Sequence, residues 1–290
     1  MSTGLIDKTR IGWTTDAFWR ELCPALRIED RDFISSLEQV ADDEGQTQRL
    51  RDLIRNEGYF QLPPPEWQLP LEDMAALVAK LDAQGIPTAF AFVYDEFWAL
   101  SVKLTRMLEG LLGPGFLRLP DFWCWHVDPA RDESGWRPHR DKGHSSLRVD
   151  RSAKSLTVWL PLTESTTLNG CMYILPADRD PVYATVNDGQ WQIDLPQIRA
   201  LPAQPGTIFC WTQAVLHWGS HASPRESRPR ISVAFEYQAN DIPPYNEPLS
   251  PPLSTPVFDA RLKLIAKQIL QYQHMYPLRD DVKAIAQAML

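Results

Sequence analysis

The feature that most constrains the fold is a change of pattern near residue 116. Before it, apolar residues recur every three to four positions, which is the period of amphipathic helices. After it, short apolar runs rich in Val, Ile, Thr, Trp and Tyr alternate with Pro, Gly and Asp, which is typical of strands joined by turns. The pattern predicts a mostly β protein with flanking helices, arranged as a sandwich or barrel. The predicted strands cover residues 59–62, 121–127, 155–163, 171–175, 182–186, 206–211 and 230–238.

Helical periodicity lies on both sides of the β region. We expect one domain over residues 1–290, since a single elaborated barrel often reaches this length. It would have a mainly helical part at 1–115, a β core at 116–240 and a helical extension at 241–290 that packs outside the barrel. The predicted helices cover residues 15–56, 71–84, 92–112 and 258–290.

Composition and charge narrow the class of protein. No apolar run approaches the roughly 20 residues needed to cross a bilayer, and the first thirteen residues lack the apolar core of an export signal. We therefore expect a cytoplasmic protein that does not bind membranes. A net charge of −8 argues against nucleic acid as the main partner. The cysteines are too widely spaced for a zinc site or a disulfide framework, and we expect reduced thiols at Cys23, Cys124, Cys171 and Cys210.

A candidate metal site begins with a His-x-Asp pair, His139 and Asp141. Residues i and i+2 of an extended segment point to the same side, so this imidazole and carboxylate can meet one metal ion. His217, which follows the predicted strand at 206–211, is the expected third ligand. Two histidines and one carboxylate leave positions open on the metal, which suits iron(II) that binds a chelating co-substrate and dioxygen.

The sequence contains other candidates for both the His-x-Asp pair and the third ligand. A second His-x-Asp pair, His126 and Asp128, shows that such pairs also arise by chance. His221 lies four residues after His217 and is the alternative third ligand. The residues alone leave these choices open.

The order of the motifs resembles the phytanoyl-CoA dioxygenase-like family of iron(II)/2-oxoglutarate oxygenases. In that family a His-x-Asp pair is followed by an apolar strand, an Asn-Gly turn, a strand ending in Pro, a Pro-Gly strand, and a distal His with Gly and Ser. The resemblance covers roughly residues 45–240, and Ala177-Asp178 departs from the family's usual Gly-Ser-His. The matching segments are His139-Arg140-Asp141, 157–162, Asn169-Gly170, 172–176, Pro205-Gly206-Thr207 and His217-Trp218-Gly219-Ser220.

The resemblance implies a double-stranded β-helix, the jelly-roll or cupin-like barrel, with iron(II), 2-oxoglutarate and dioxygen as cofactor and co-substrates. Its spacing selects the ligands His139, Asp141 and His217, and no catalytic group beyond them is expected. The distal carboxylate of 2-oxoglutarate needs a fixed cation, for which the planar fork of arginine is suited. The family spacing favours Arg228, and an Arg-x-Ser pattern of related oxygenases keeps Arg230 with Ser232 as the alternative.

The implied activity is that of a dioxygenase that hydroxylates an unactivated C–H bond of a small molecule and releases succinate and carbon dioxide. Because Asp141 fills the position that a halide would take, hydroxylation is favoured over halogenation, while desaturation and cyclisation stay open. The rival hypotheses are a cupin-like metalloenzyme that does not use 2-oxoglutarate and a non-catalytic ligand-binding barrel. Further contacts are expected from Thr157 and Trp159 to the co-substrate and from Lys142, His144 and Trp218 to the substrate. The oligomeric state is not predicted.

Overall fold

The strands of this protein form two antiparallel sheets. The computed structural model describes residues 12–40, 43–191 and 193–290, so the expectation about an export signal falls outside the described residues. The larger sheet has the order β1-β6-β3-β8-β2 and the smaller one β5-β4-β7. The strands are β1 (Tyr59–Leu62), β2 (Leu117–Val127), β3 (Ser155–Pro161), β4 (Met172–Leu175), β5 (Arg199–Leu201), β6 (Ile208–Thr212), β7 (Leu216–Gly219) and β8 (Arg230–Gln238).

The register of the larger sheet decides which side chains face inward. Thr157 of β3 lies opposite Trp211 of β6 and Glu236 of β8, and Trp159 lies opposite Ala234. Since side chains of a strand alternate between the two faces of a sheet, these five residues share one face. They line a cavity whose other wall includes residues of β4 and β7 from the smaller sheet. The larger and smaller sheets therefore face each other across this cavity.

Helices precede the sheets and follow them in the chain. The fourth helix buries the stripe of Met74, Leu77, Val78 and Leu81, whose spacing predicted it. The described helices are α1 (Asp16–Leu22), α2 (Arg31–Ser35), α3 (Glu44–Asn56), α4 (Leu71–Ala83), α5 (Asp95–Lys103), α6 (Thr105–Leu112), α7 (Phe258–Gln271) and α8 (Asp280–Met289). None of these described helices is long and apolar enough to cross a membrane.

A buried ion pair ties the C-terminal helices to the N-terminal ones. Arg261 of α7 donates to Asp95 of α5 at 2.5 Å and to the carbonyl of Val93 at 2.8 Å. Both charged side chains are almost fully buried. The helices before and after the β region thus pack into one core, which also includes residues of the larger sheet.

Most of the predicted elements are present. The strand predicted at 182–186 is wrong, because Ala184 has a positive φ of 59° and turn hydrogen bonds join Tyr183 to Asp180 and Thr185 to Val182. The short strands β5 and β7 were not predicted, and the predicted helix at 15–56 is divided into α1, α2 and α3, with residues 41–42 outside the described residues. Within the described residues no strand ladder joins the two sheets into a closed barrel. All four cysteines are free, as predicted.

Candidate metal centre

Three side chains converge at the inner wall of the cavity: His139, Asp141 and His217. Their candidate ligand atoms all lie within 4.8 Å of one another. Oδ1 of Asp141 is 3.3 Å from Nε2 of His139 and 3.5 Å from Nε2 of His217. Among the described residues this is the one group of three or more His, Cys, Asp or Glu side chains arranged to hold a metal ion.

The backbone and the ring hydrogen bonds fix both imidazoles. The main chains of His139 and His217 exchange two hydrogen bonds, each of 3.0 Å, which places the histidines side by side. Nδ1 of His139 lies 2.7 Å from the carbonyl of Arg137, and Nδ1 of His217 lies 3.1 Å from that of Val215. A carbonyl oxygen only accepts, so each Nδ1 carries the proton and each Nε2 presents a lone pair to the shared point.

The carboxylate of Asp141 is oriented by two donors from the larger sheet. Its Oδ2 accepts hydrogen bonds from Thr157 Oγ1 at 2.7 Å and from Trp211 Nε1 at 3.1 Å. These bonds leave Oδ1 directed at the imidazoles. Because Thr157 and Trp211 are register partners on adjacent strands, the sheet itself positions this carboxylate.

The electrostatics of the three groups fit a divalent cation. Burial opposes ionisation of Asp141, but His217, His139 and the Thr157 hydroxyl together hold the pKa of Asp141 well below its usual range. Burial lowers the pKa of His217 to about 4, so its imidazole is neutral at pH 7. Burial also acts to lower the pKa of His139, but the neighbouring carboxylate of Asp141, helped by the Arg137 carbonyl and the charge of Glu236, outweighs burial and raises that pKa. Nε2 of His139 is buried and finds no hydrogen-bond partner in the described part of the chain, and a metal ion would satisfy it.

The cavity between the sheets shares a wall with a wider outer cleft. Both spaces share part of the wall, including the two metal-site residues His139 and Asp141. The rest of the inner wall is largely aromatic, so little of the surface inside the cavity is polar. The inner cavity is lined by the metal-site residues and by Asp121, Phe122, Trp123, Trp125, Trp136, Thr157, Trp159, Met172, Trp211, Gly219, Arg230, Ala234, Glu236 and Tyr272.

The side chain of Arg230 forms part of the wall of this cavity. Its side chain is fully buried, its Nη1 donates to Ser232 Oγ at 3.0 Å, and its Nε has no hydrogen-bond partner among the residues that the structure describes. The guanidinium carbon lies 5.5 Å from the ring centre of Trp159. Burial lowers the pKa of Arg230 to about 10, which still leaves the group charged at neutral pH. Such a buried cation without an anion requires a partner.

Two glycines leave room for this guanidinium. A Cβ at Gly135 would lie 3.0 Å from Nη2 of Arg230, and a Cβ at Gly219 would lie 3.3 Å from it. The same two glycines approach each other so closely that a Cβ on either would lie within 2.7 Å of the other's Cα. The segment before His139 and the end of β7 therefore meet through backbone alone beside the arginine.

Arg228, which the sequence analysis preferred, lies outside the cavity. Its side chain is 63% exposed and pairs with Glu164 at 2.9 Å and with Glu226 at 3.4 Å. It precedes the first residue of β8, so the alternation of that strand does not direct it inward. The preference for Arg228 over Arg230 is corrected accordingly.

Of the three residues predicted to contact the substrate, Lys142 lines the outer cleft and the other two do not. Lys142 lines the outer cleft and pairs with Glu236 at 2.5 Å. His144 is instead held at the surface by Asp188, 3.1 Å from its Nδ1. Trp218 lies next to His217 on β7 and therefore faces away from the cavity, where it stacks on Tyr173 with ring centres 5.8 Å apart. Neither His144 nor Trp218 lines the inner cavity or the outer cleft, which argues against the predicted contacts of both residues with the substrate.

The competing histidines lie elsewhere. His126 sits 3.5 Å from Asp82 and 3.1 Å from Arg131, and Asp128 caps a short turn by accepting from the amide of Ala130. His221 is exposed and lies near Asp132 at 3.6 Å. Neither His126 nor His221 belongs to the candidate metal group.

Two carboxylates of the cavity were missed by sequence reasoning. Asp121 of β2 is buried, and Glu236 of β8 is 14% exposed. Burial raises the pKa of Glu236 to about 7; the charge of Lys142 opposes this shift, and the charges of Asp121 and Asp141 add to it. Alternation along β8 from Arg230 could have indicated Glu236, whereas no sequence pattern marks Asp121.

Comparison with solved structures gives the class of fold. The non-heme alpha ketoglutarate dependent epimerase SnoN from nogalamycin biosynthesis matches with a TM-score of 0.51 and 18% identity, over 68% of this chain and 82% of SnoN. SnoN in complex with Fe3+, alpha ketoglutarate and nogalamycin RO matches with a TM-score of 0.52 and 17% identity, over 74% and 96%. The non-heme monooxygenase ThoJ, in its apo form, matches with a TM-score of 0.53 and 15% identity, over 82% and 99%.

These similarities show that the chain shares the fold of SnoN and ThoJ. No protein-family model and no curated protein sequence matches the chain.

Proposed function

We propose that this protein is an iron(II)- and 2-oxoglutarate-dependent dioxygenase that hydroxylates an unactivated C–H bond of a small molecule. One observation carries the proposal. A His-Asp-His group with converging donor atoms lines the same cavity as a buried arginine that pairs with no anion of the described residues. The solved structure of SnoN with Fe3+ and alpha ketoglutarate, which shares the fold, supports it.

His139, Asp141 and His217 would hold the iron. The donor set fits because two neutral imidazole nitrogens and one ionised carboxylate oxygen suit iron(II), and the unpartnered Nε2 of His139 is available to it. The remaining positions of the metal stay open for ligands from the cavity. Since the protein already supplies a carboxylate through Asp141, hydroxylation is favoured over halogenation.

Arg230 would bind the distal carboxylate of 2-oxoglutarate. Its planar fork matches a carboxylate with two parallel hydrogen bonds, and its free Nε supplies a donor that no protein group uses. The Ser232 hydroxyl accepts a hydrogen bond from the guanidinium, Trp159 covers one face of it, and Thr157 of the same strand as Trp159 donates to Asp141. Arg230 replaces Arg228 in this role.

Iron and 2-oxoglutarate, when bound together, supply the oxidising chemistry with dioxygen and yield succinate and carbon dioxide. The chain itself fixes the three donor atoms, neutralises the co-substrate carboxylate and keeps water away from the reacting bond. Water is kept away by an apolar wall, much of which is formed by Trp125, Trp136 and Trp211. We further propose that the two facing sheets are the halves of a jelly roll and that residues 1–290 form one domain.

Succinate formation from 2-oxoglutarate tests the proposal. Protein purified without oxygen receives iron(II), ascorbate and air, and we compare wild type with His139→Ala, Arg230→Ala and Arg228→Ala. We expect slow succinate formation by wild type even without substrate, none from His139→Ala, and a large loss from Arg230→Ala at limiting 2-oxoglutarate. Arg228→Ala is the matched surface control and should behave as wild type.

Absence of succinate from wild-type protein, together with no binding of 2-oxoglutarate to the metal-loaded protein, would overturn the proposal. A protein that binds metal but not 2-oxoglutarate would be a cupin-like metalloenzyme of another kind. A protein that binds neither would be a non-catalytic ligand-binding barrel.

A further inference from the structure

The inner cavity carries opposite charges at its two ends. Arg230 and Glu236 lie on the same face of β8, six residues apart, with the small side chain of Ala234 between them. Six residues of an extended strand span about 20 Å. If 2-oxoglutarate neutralises Arg230, the charge that still faces the substrate is the negative charge at the Glu236 end of the cavity.

At that opposite end the charges do not balance. Asp121 is buried, and its carboxylate accepts hydrogen bonds from the neutral amides of Asn246 and Gln271, each at 2.9 Å. No cation lies within 4.0 Å of Asp121 in the part of the chain that the structure describes. The nearby ammonium of Lys142 is taken by Glu236 at 2.5 Å. One lysine thus faces two carboxylates.

No other cation of the cavity wall compensates for Asp121. Apart from the histidines, Arg230 is the one cation among the described residues that line the inner cavity. In the outer cleft, the guanidinium of Arg140 pairs with Asp180 at 2.6 Å, and Arg137 is exposed to solvent at the rim. A buried carboxylate without a cation is costly, and a positively charged ligand would remove that cost.

Aromatic rings line the same cavity as this carboxylate. Trp123 and Trp125 follow Asp121 at two-residue intervals along β2, and all three residues line the inner cavity. Tyr272 packs against Trp123 with ring centres 5.1 Å apart and against Trp136 with ring centres 5.0 Å apart. Aromatic faces beside a carboxylate are the arrangement that binds ammonium groups, through cation–π attraction as well as charge.

We propose that the substrate of this site is a cationic amine carried on an apolar body, with its ammonium group bound by Asp121 among the rings of Trp123, Trp125 and Tyr272. This inference rests on the proposed function, because it takes Arg230 to be occupied by 2-oxoglutarate. The apolar body of the substrate then lies along the cavity toward His139 and His217, where the C–H bond is oxidised. Neutral and anionic molecules of the same shape are rejected, since they leave Asp121 without a cation.

Calorimetric titration of protein loaded with Ni(II) and 2-oxoglutarate tests this without turnover. The probes share one phenyl body and differ in charge: 2-phenylethylammonium, 2-phenylethanol and 3-phenylpropionate. They are titrated into wild type, Asp121→Asn and Asp178→Asn, which removes an exposed carboxylate outside the cavity. Binding of 2-oxoglutarate to each Ni(II)-loaded protein is measured separately and reports on folding and on the proposed function.

We expect the ammonium probe to bind at least tenfold more tightly than the alcohol and the carboxylate. Asp121→Asn should abolish this preference while 2-oxoglutarate binding stays at the wild-type level, and Asp178→Asn should retain both. Equal binding of the three probes, no binding of any of them, or an unchanged preference in Asp121→Asn would overturn the inference. If 2-oxoglutarate binds in that case, the proposed function stands; if it does not, the proposed function fails independently.

Discussion

His139 and His217 exchange both backbone hydrogen bonds, N–H to O at 3.0 Å in each direction, although they lie 78 residues apart in the sequence. The pair anchors the His-x-Asp segment to β7 of the smaller sheet. Asp141 is in turn anchored to the larger sheet through Thr157 and Trp211. The candidate metal centre is therefore built across the gap between the two sheets, and each sheet fixes part of the donor set.

Removal of one imidazole should abolish metal binding, because two donors remain of the three. We expect His217→Ala to retain no stoichiometric iron(II) after anaerobic reconstitution and desalting, as measured by metal analysis. His221→Ala and His126→Ala are the controls, since both histidines lie outside the group. An equal loss of iron in His126→Ala would show that the second His-x-Asp pair takes part.

Thr157 should affect metal affinity without touching the metal. Its hydroxyl donates to Asp141 Oδ2 at 2.7 Å, and loss of such an orienting bond typically weakens metal binding 10- to 100-fold. We expect Thr157→Val to show a weakening of about that size in a calorimetric titration with Ni(II). Thr157→Ser keeps the hydroxyl and should restore most of the affinity. If Val and Ser variants bind equally, the hydrogen bond does not orient the ligand.

Local patterns in the sequence indicated most strands and the candidate metal ligands, although the family resemblance was needed to choose among the competing histidines. The i, i+2 relation of His139 and Asp141 depends only on an extended backbone, and a histidine after a strand is visible without knowledge of the fold. The structure brings these residues together with His217. The strand predicted at 182–186 failed because its Val, Tyr and Thr residues resemble a strand, while Asp180 and the left-handed Ala184 form turns.

Features that depend on strand boundaries or distant packing could not be predicted in this way. Arg228, Arg230 and Ser232 would share a face only if the strand began before Arg228, but β8 begins at Arg230, directly after Pro229. Asp121 lies where the register between β2 and β8 shifts, so alternation does not give its direction. Tyr272 reaches the cavity from the end of α7, which no local motif indicates.

Gly219 should tolerate no side chain. A Cβ there would lie 2.7 Å from the Cα of Gly135 and 3.3 Å from Nη2 of Arg230, so backbone must move. We expect Gly219→Ala to lower the free energy of unfolding by about 1–3 kcal/mol and to weaken 2-oxoglutarate binding, because the guanidinium is displaced. Gly189→Ala is the matched control, since nothing lies within 4 Å of its added Cβ. Thermal unfolding and calorimetry would show whether the two variants differ.

Glu236 should make the stability of the metal-free protein depend on pH. Its folded pKa of about 7 lies above the ordinary value of 4.5 because burial disfavours its charge, so the folded state keeps a proton that the unfolded chain releases. The contribution of Glu236 is fully present below pH 4.5 and is lost as the pH rises to about 7. Glu236→Gln has no carboxyl group to titrate. Its free energy of unfolding, compared with that of wild type, should therefore rise by up to about 3 kcal/mol between pH 4.5 and 7.

Denaturant unfolding of both proteins between pH 4 and 8 in the presence of a chelator measures this difference. Glu226→Gln is a control of opposite sign, because hydrogen bonds from Arg228 and from the Ser227 amide lower the pKa of Glu226. The difference in the free energy of unfolding between Glu226→Gln and wild type should change only as the pH falls below about 4.5. A difference between Glu236→Gln and wild type that stays constant from pH 4.5 to 7 would mean that Lys142 fully compensates the buried carboxylate.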